Sequence, residues 1–326
     1  MGLESSVLRF LIGSTVKINV VYAADKEWVP HLAASLTSLL QTNRDAIGRL
    51  FVIGALSGHR PWARLQKFAM SNFGIVLELI EPPLAEIEGL FTSRGISHAS
   101  WYRLFLGELL PTEVKHVLYM DADTVVVGSL EGLRDMLTDF SANQGSAIRA
   151  VESSQRMDHF SQFSHPGNRY FNAGVLLVDL IKFRQGTSAQ QLTDTAKRYG
   201  SKLRFHDQDV LNLHFGKDFV PLDPMYNTMR STRISDSVSI VHFVGPRKPW
   251  LGSGRHHPYS RSYRQARRLT PFYPYLWADL IEVFAPRFYA SLKSMIDTTY
   301  RWMFRLRARI PKGQSNPGRS RETTKV

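Results

Sequence analysis

Apolar residues fall in short runs along the first 250 positions, and their spacing changes from run to run. Lys17–Ala23 (KINVVYA) is nearly continuous and predicts a strand. In Trp28–Leu40 the spacing becomes helical, with Leu32, Leu36, Leu39 and Leu40 on the inward face. Leu50–Gly54 predicts a second strand, Pro61–Asn72 a helix opened by proline, and Ile75–Ile80 a third strand. Trp101–Leu110 reads as a helix, followed by an apolar strand through Val117–Met120 that ends at Asp121. This alternation predicts a layered α/β domain with a largely parallel sheet. Ligands of such sheets bind beyond the carboxyl ends of the strands, which is where Asp25, Asp121 and Asp123 stand.

Asp121 and Asp123 interrupt LYMDADTVVVGSL between two apolar stretches, so they do not belong to a solvated acidic face. Two residues apart on extended chain, they point to the same side and repel unless a cation lies between them. D-x-D is a weak motif, because 16 aspartates in 326 positions give about 0.8 occurrences by chance and this chain has two. A turn in which the carboxylates cap local backbone is the bland alternative. A hard divalent cation held by one or two carboxylates, with phosphate oxygens completing its shell, is the sharper one.

Three other segments carry candidate chemistry. FHDQDVLNLHF (205–215) predicts a helix starting near Asp207–Asp209, where one carboxylate caps amides and the other is unassigned. YFNAGVLLVDL (170–180) is a turn feeding a buried strand, and Asn172 there reads first as a turn residue. IVHFVGPRKPW (240–250) sets His242 in an apolar strand, followed by a glycine turn and Lys248. Such a histidine is ordinarily a core residue; with the turn and the lysine it fits a corner for metal and phosphate.

Taken together and in order, these segments resemble the family 8 glycosyltransferases, over about Lys17–Trp250. The stretches are VVYAADKEWVPHLAASLTSLL, WYRLFLGELLP, LYMDADTVVVGSL, YFNAGVLLVDL, HDQDVLNLHF and HFVGPRKPW. The closest flavour is that of bacterial lipopolysaccharide α-galactosyl- and α-glucosyltransferases. The resemblance implies an α/β nucleotide-sugar-binding, Rossmann-like mixed sheet of the glycosyltransferase A type, with helices on both faces and a basic helical tail. It implies a retaining transfer of galactose or glucose from a UDP-sugar, dependent on Mn²⁺ or Mg²⁺. Asp121, Asp123 and His242 match the metal ligands. Ala23, Ala24 and Asp25 match the nucleotide-facing start, with the aspartate reading uracil; Glu27 stands where the family often has asparagine. Arg103 matches the arginine that reaches the donor, and Ala122 lies between the metal-binding aspartates. Asn172, Asp207 and Gln208 match residues lining the transferred sugar, the last two being the catalytic candidates, and Glu152 falls near a family aspartate. Gly245 and Lys248 match the diphosphate corner.

Charge divides the chain. Residues 251–326 hold 15 Lys+Arg against 4 Asp+Glu, while the whole chain carries +13, so the body is nearly neutral. The division expected is an extension (1–16), a catalytic domain (17–254), a basic aromatic helical tail (255–310) and a disordered end (311–326). The tail, with bulky groups at helical spacing (Tyr289, Leu292, Met295, Ile296), reads best as an interfacial helix on anionic lipid. A plain packing helix and a nucleic-acid grip are weaker readings, and no nucleic-acid partner is expected. No run reaches the roughly 18 apolar residues of a spanning helix, and Val7–Ile12 lacks the frame of a signal peptide. A cytoplasmic enzyme, peripheral at the inner membrane and acting on lipopolysaccharide core or a lipid-linked glycan, is the resulting expectation. The absence of cysteine excludes disulfides and thiolate metal sites. A non-catalytic membrane- or nucleic-acid-binding module on a degenerate transferase fold is the alternative from another class. A metal phosphohydrolase is the third, disfavoured by the few clustered His and Asp.

Overall fold

The computed structural model describes residues 16–92, 97–139, 146–153, 160–163, 169–251, 254 and 256–273. The interfacial-helix and disordered-end expectations fall on residues beyond 273, and the N-terminal patch on residues before 16, all outside the described residues.

The chain opens with β1 (Ile18–Ala23), α1 (Val29–Asn43), β2 (Ile47–Ile53), α2 (Arg60–Phe73) and β3 (Leu77–Ile80). Then come β4 (His116–Asp121), β5 (Thr124–Val126), α3 (Glu131–Asp139), β6 (Ile148–Glu152) and β7 (Phe171–Asp179). α4 (Leu180–Gly186), α5 (Ala189–Tyr199), α6 (Asp207–Phe215), β8 (Val220–Pro221), β9 (Ile240–His242) and α7 (Ser260–Arg268) complete the order.

Seven strands form one sheet in the order β3-β2-β1-β4-β7-β6-β8, and β5 pairs with β9 in a second, two-stranded sheet. β1 to β4 are mutually parallel where they pair, as strand–helix alternation predicts. β7 runs antiparallel to both β4 and β6, so a single reversed strand makes the largely parallel sheet a mixed one. Antiparallel neighbours need no crossover helix, and strand–helix alternation in the sequence does not reveal them.

Both faces of the large sheet are covered, which explains why its central strands are continuous apolar runs. Val21, Phe51 and Tyr119 pack into a cluster with Leu192, Val210 and Leu211. Val20, Tyr22, Leu50 and Val52 pack on the opposite face with Leu36, Leu39 and Leu65. α1 buries the four leucines expected of it, but it also buries Ala33, Ala34, Ser35, Thr37 and Ser38. Its outer side is covered by β5, β9 and the C-terminal segment: Ala34, Val125, Val241, Phe243, Tyr259 and Tyr263 form a third cluster. Phe272 is buried with the α1–α2 leucines, and Arg64 of α2 donates to the Pro271 carbonyl. The described body thus continues past residue 254 to Tyr273. Among the described residues no helix is long and apolar enough to cross a membrane.

The helix expected over Trp101–Leu110 is a tighter 3-10 helix, His98–Phe105, followed by a single α-turn, Leu106–Leu109. The Ser97 side chain accepts from the Ala99 amide at its start. This segment carries Arg103.

Candidate metal and nucleotide-sugar site

Strand pairing assembles the centre. β1 and β4 lie parallel with Ala23 opposite Asp121, which puts both strand ends on one rim. β5 pairs with β9 so that Thr124 faces His242, delivering the histidine beside Asp123 from more than a hundred residues away. β7 passes β4 with Val175 opposite Met120, and Gly174 comes up against Asp121 and His242. A Cβ on Gly174 would lie 2.0 Å from His242 Cε1 and 2.8 Å from Asp121 Oδ2, so only glycine leaves room here. His242 Nε2 stands 3.2 Å from Asp123 Oδ1 and 3.6 Å from Asp121 Oδ2. One atom from each of the three residues falls within a 4.8 Å group. Two carboxylate oxygens and an imidazole nitrogen are a donor set that could hold a divalent cation.

Two cations flank the acids. Arg103 is buried, with its Nη2 2.8 Å from Asp121 Oδ1 and its guanidinium 4.6 Å from the Tyr119 ring centre. Burial works against its charge, but Asp121 and Asp207 outweigh that and raise its pKa above the ordinary arginine value. The Tyr119 hydroxyl also donates to Asp121 Oδ1, at 2.8 Å. Lys248 donates to Asp123 Oδ2 and to the Phe243 carbonyl. Burial pushes the Asp123 carboxyl up, yet Lys248 and His242 outweigh it and hold it well below the usual carboxylate range. Gly245, at φ +74°, makes the turn between His242 and Lys248 that the sequence predicts.

Asp207 differs from both. It starts α6, and its Oδ2 lies 2.8 Å from Arg103 Nε without hydrogen-bond alignment, that N–H being directed to the Ser100 carbonyl. Burial pushes its carboxyl up to about 7, against the pull of Arg103 and helped by the charge of Asp121. Neither Asp207 nor Asp209 caps α6 in the expected manner, because the cap position is His206 at φ 49°. Asp209 instead accepts from the Phe205 amide and from the Tyr170 hydroxyl.

A cavity of about 770 Å³ opens over this centre. Of the residues singled out in the sequence, Ala23, Ala24, Arg103, Asp121, Ala122, Asp123, Gly245 and Lys248 line it. His242 and Asp207 stand one layer back, against Asp123 and Arg103, and Asn172 and Gln208 stand behind His242. Asp25 is half-buried and accepts from the hydroxyl of Ser97, a lining residue. Glu152 is exposed, faces Arg169 at 3.5 Å and does not line the cavity. Sequence reasoning missed the aromatic wall. Trp28 and Trp250 both line the cavity, their rings edge-on at 5.6 Å, and His31 stacks on Trp250 at 3.8 Å. Tyr119 and Asn227 were missed as well; only the position of Tyr119, two residues before Asp121, gave a signal.

A mixed sheet with this centre at its carboxyl-end rim defines a glycosyltransferase fold of the A type. The galactosyltransferase LgtC, solved with donor and acceptor sugar analogues, shares that fold with a TM-score of 0.67 at 23% identity, over 80% of this chain and 99% of LgtC. The model of glycosyl transferase family 8 matches residues 19–254, and the chain belongs to that family. General stress protein A of Bacillus subtilis (strain 168) is 26% identical over 76% of this chain and 91% of its own length. The lipopolysaccharide 1,3-galactosyltransferase of Salmonella typhimurium (strain LT2) is also 26% identical, over 78% of this chain and 79% of its own. The lipopolysaccharide 1,2-glucosyltransferase of Escherichia coli (strain K12) is 24% identical, over 73% and 74% respectively.

Proposed function

We propose that this chain is a metal-dependent, retaining hexosyltransferase that moves galactose or glucose from a UDP-sugar onto a saccharide acceptor in α linkage. The observation that carries the reading is the Asp121–Asp123–His242 group at the rim of a cavity that also presents Lys248. Asp121, Asp123 and His242 would hold Mn²⁺ or Mg²⁺, which when bound would supply positive charge to a diphosphate leaving group. Lys248 and the turn at Gly245 meet the same diphosphate, where negative charge grows as the sugar departs. Asp25, fixed by Ser97, reads the base, and Trp28 faces it. Arg103, on the cavity wall, reaches the donor and holds Asp121 in place. The names of the Salmonella and Escherichia relatives support a lipopolysaccharide or lipid-linked acceptor. A basic C-terminal segment supports work at the cytoplasmic face of the inner membrane.

Retention by double displacement needs a free nucleophile on the far face of the sugar. Gln208 is ill suited: its Oε1 already accepts from Asn172 Nδ2 at 2.9 Å and from the Ala173 amide at 3.0 Å. Asp207 faces the Arg103 guanidinium. Same-face attack, with the departing phosphate taking the acceptor proton, fits these residues better. Asp207→Asn and Gln208→Ala then slow turnover without a glycosyl-enzyme accumulating. The deciding experiment is a donor screen for UDP release with UDP-galactose, UDP-glucose and UDP-N-acetylglucosamine, with Mn²⁺ and with chelator. Metal-dependent release from one of the two hexose donors is expected. Equal release in excess chelator, or none from any donor, would sink the reading.

A further inference from the structure

A buried chain of hydrogen bonds ends on the face of His242 that points away from the acids. His242 Nδ1 lies 3.1 Å from Asn172 Oδ1 and 3.1 Å from Asn227 Oδ1. Which atom of each amide is oxygen follows from backbone donors that cannot reverse. The Gly174 N–H meets Asn172 at 3.0 Å, so that atom is Oδ1. Asn227 meets the same oxygen at 2.9 Å, so it presents its Nδ2 there and its Oδ1 to the histidine. The Ala173 N–H likewise fixes Gln208 Oε1, to which Asn172 Nδ2 donates. Gln208 Nε2 donates 2.9 Å to the Tyr170 oxygen, and the Tyr170 hydroxyl donates 2.6 Å to Asp209 Oδ1. Asn172, Asn227, Gln208, Tyr170 and Asp209 are all buried. Each member has one orientation compatible with its neighbours.

His242 Nδ1 therefore faces two oxygens and must donate. We propose that Asn227, together with this relay from Asp209 through Tyr170, Gln208 and Asn172, is a positioning device that keeps a proton on Nδ1 of His242 and so presents Nε2 as the metal-binding atom. Imidazole ligands are commonly oriented in this way by a partner on the other ring nitrogen. The inference assigns Asp209, the second acid of its D-x-D pair, to the far end of the relay. Gln208 joins the two ends, a role that accounts for its buried amide without any nucleophilic attack. It rests on the reading of Asp121, Asp123 and His242 as metal ligands.

Two readouts on the full-length chain test it. ¹⁵N–¹H NMR of His242 reads the ring protons directly, in Mg²⁺-loaded and in chelated protein. A proton on Nδ1 is expected in both samples; a bare Nδ1 with the proton on Nε2 would overturn the inference. Mn²⁺ affinity, read from the free-ion EPR signal, is compared in wild type, Asn227→Ala and Tyr170→Phe. Loss of an orienting partner predicts about 10–100-fold weaker binding for Asn227→Ala, with a smaller loss in the same direction for Tyr170→Phe. Unchanged affinity in folded Asn227→Ala would also overturn it. If Asn227→Ala does not fold, Tyr170→Phe, which keeps the ring and removes only the hydroxyl, and the wild-type spectrum decide. Wild-type protein that binds no Mn²⁺ would remove the metal reading instead, and the Nδ1 spectrum would still test the relay.

Discussion

Gly174 shows how much of the centre depends on an atom that is missing from the side chain. With a Cβ 2.0 Å from His242 Cε1, Gly174→Ala forces the imidazole or β7 to shift. Overpacking of this kind costs about 1–3 kcal/mol, and Mn²⁺ binding should weaken more than tenfold. Chemical denaturation and Mn²⁺ EPR check both; an alanine variant that binds the ion as wild type does would contradict the packing seen here. Asp207 gives a pH signature. Its folded pKa, about 7, lies above the ordinary carboxyl value of 3.8, so the native state binds the extra proton. Stability from this group is thus present at low pH and is lost as pH rises from about 4 through about 7. Buried histidines, among them His31, whose pKa burial lowers to about 3, change stability in the opposite sense below about pH 6.5, so the comparison must be with a variant. In chelator, wild type should lose stability relative to Asp207→Asn between pH 5 and 7, by at most about 1.4 kcal/mol per pH unit, and level off above that. A difference independent of pH would contradict the buried, proton-holding state of Asp207.

At the scale of elements, the sequence made the strands and leucine-faced helices legible, because each is a local pattern with its own period. Asp121 and Asp123 were legible for the same reason: two charges at the end of a buried strand conflict with local rules. What joins β5 to β9, or turns β7 antiparallel, depends on pairings between segments far apart in sequence, and no local period records them. In the sequence Trp28 reads as the first residue of a helix and Trp250 as the end of a motif, and only the fold brings them to one wall. The covering of the outer face of α1 is of the same kind. Its small Ala34 packs in one cluster with Tyr259 and Tyr263, from a segment that charge alone assigned to the tail. Tyr263 is fully buried, and its hydroxyl lies 2.6 Å from His31 Nδ1, on the ring that stacks against Trp250. Tyr263→Phe should cost about 1–3 kcal/mol, as an unsatisfied buried group does, and should raise the donor KM more than it lowers kcat. Urea denaturation and steady-state kinetics measure the two; a variant with wild-type stability would show that the helix merely rests on the body.

For the molecule as a whole, charge and core divide the chain at different places. Composition changes near residue 254, whereas Tyr259, Tyr263 and Phe272 are core residues and belong to the body. A chain ending after Gly254 would lose these side chains and expose the outer face of α1. One ending after Tyr273 should stay folded and keep donor hydrolysis while losing affinity for anionic vesicles, the basic remainder being the proposed membrane contact. Sedimentation with phosphatidylglycerol vesicles measures this, and full binding by the shortened chain would end the interfacial reading. In the proposed function, Asp121, Asp123 and His242 hold a divalent ion through which this cavity takes a nucleoside diphosphate. Calorimetric titration of UDP into the protein, with Mn²⁺ and then with chelator, for wild type and Asp123→Ala, tests it most directly. Wild type should bind UDP only when Mn²⁺ is present, and Asp123→Ala should lose that binding. UDP binding of equal affinity in chelator, or undiminished in Asp123→Ala, would contradict it.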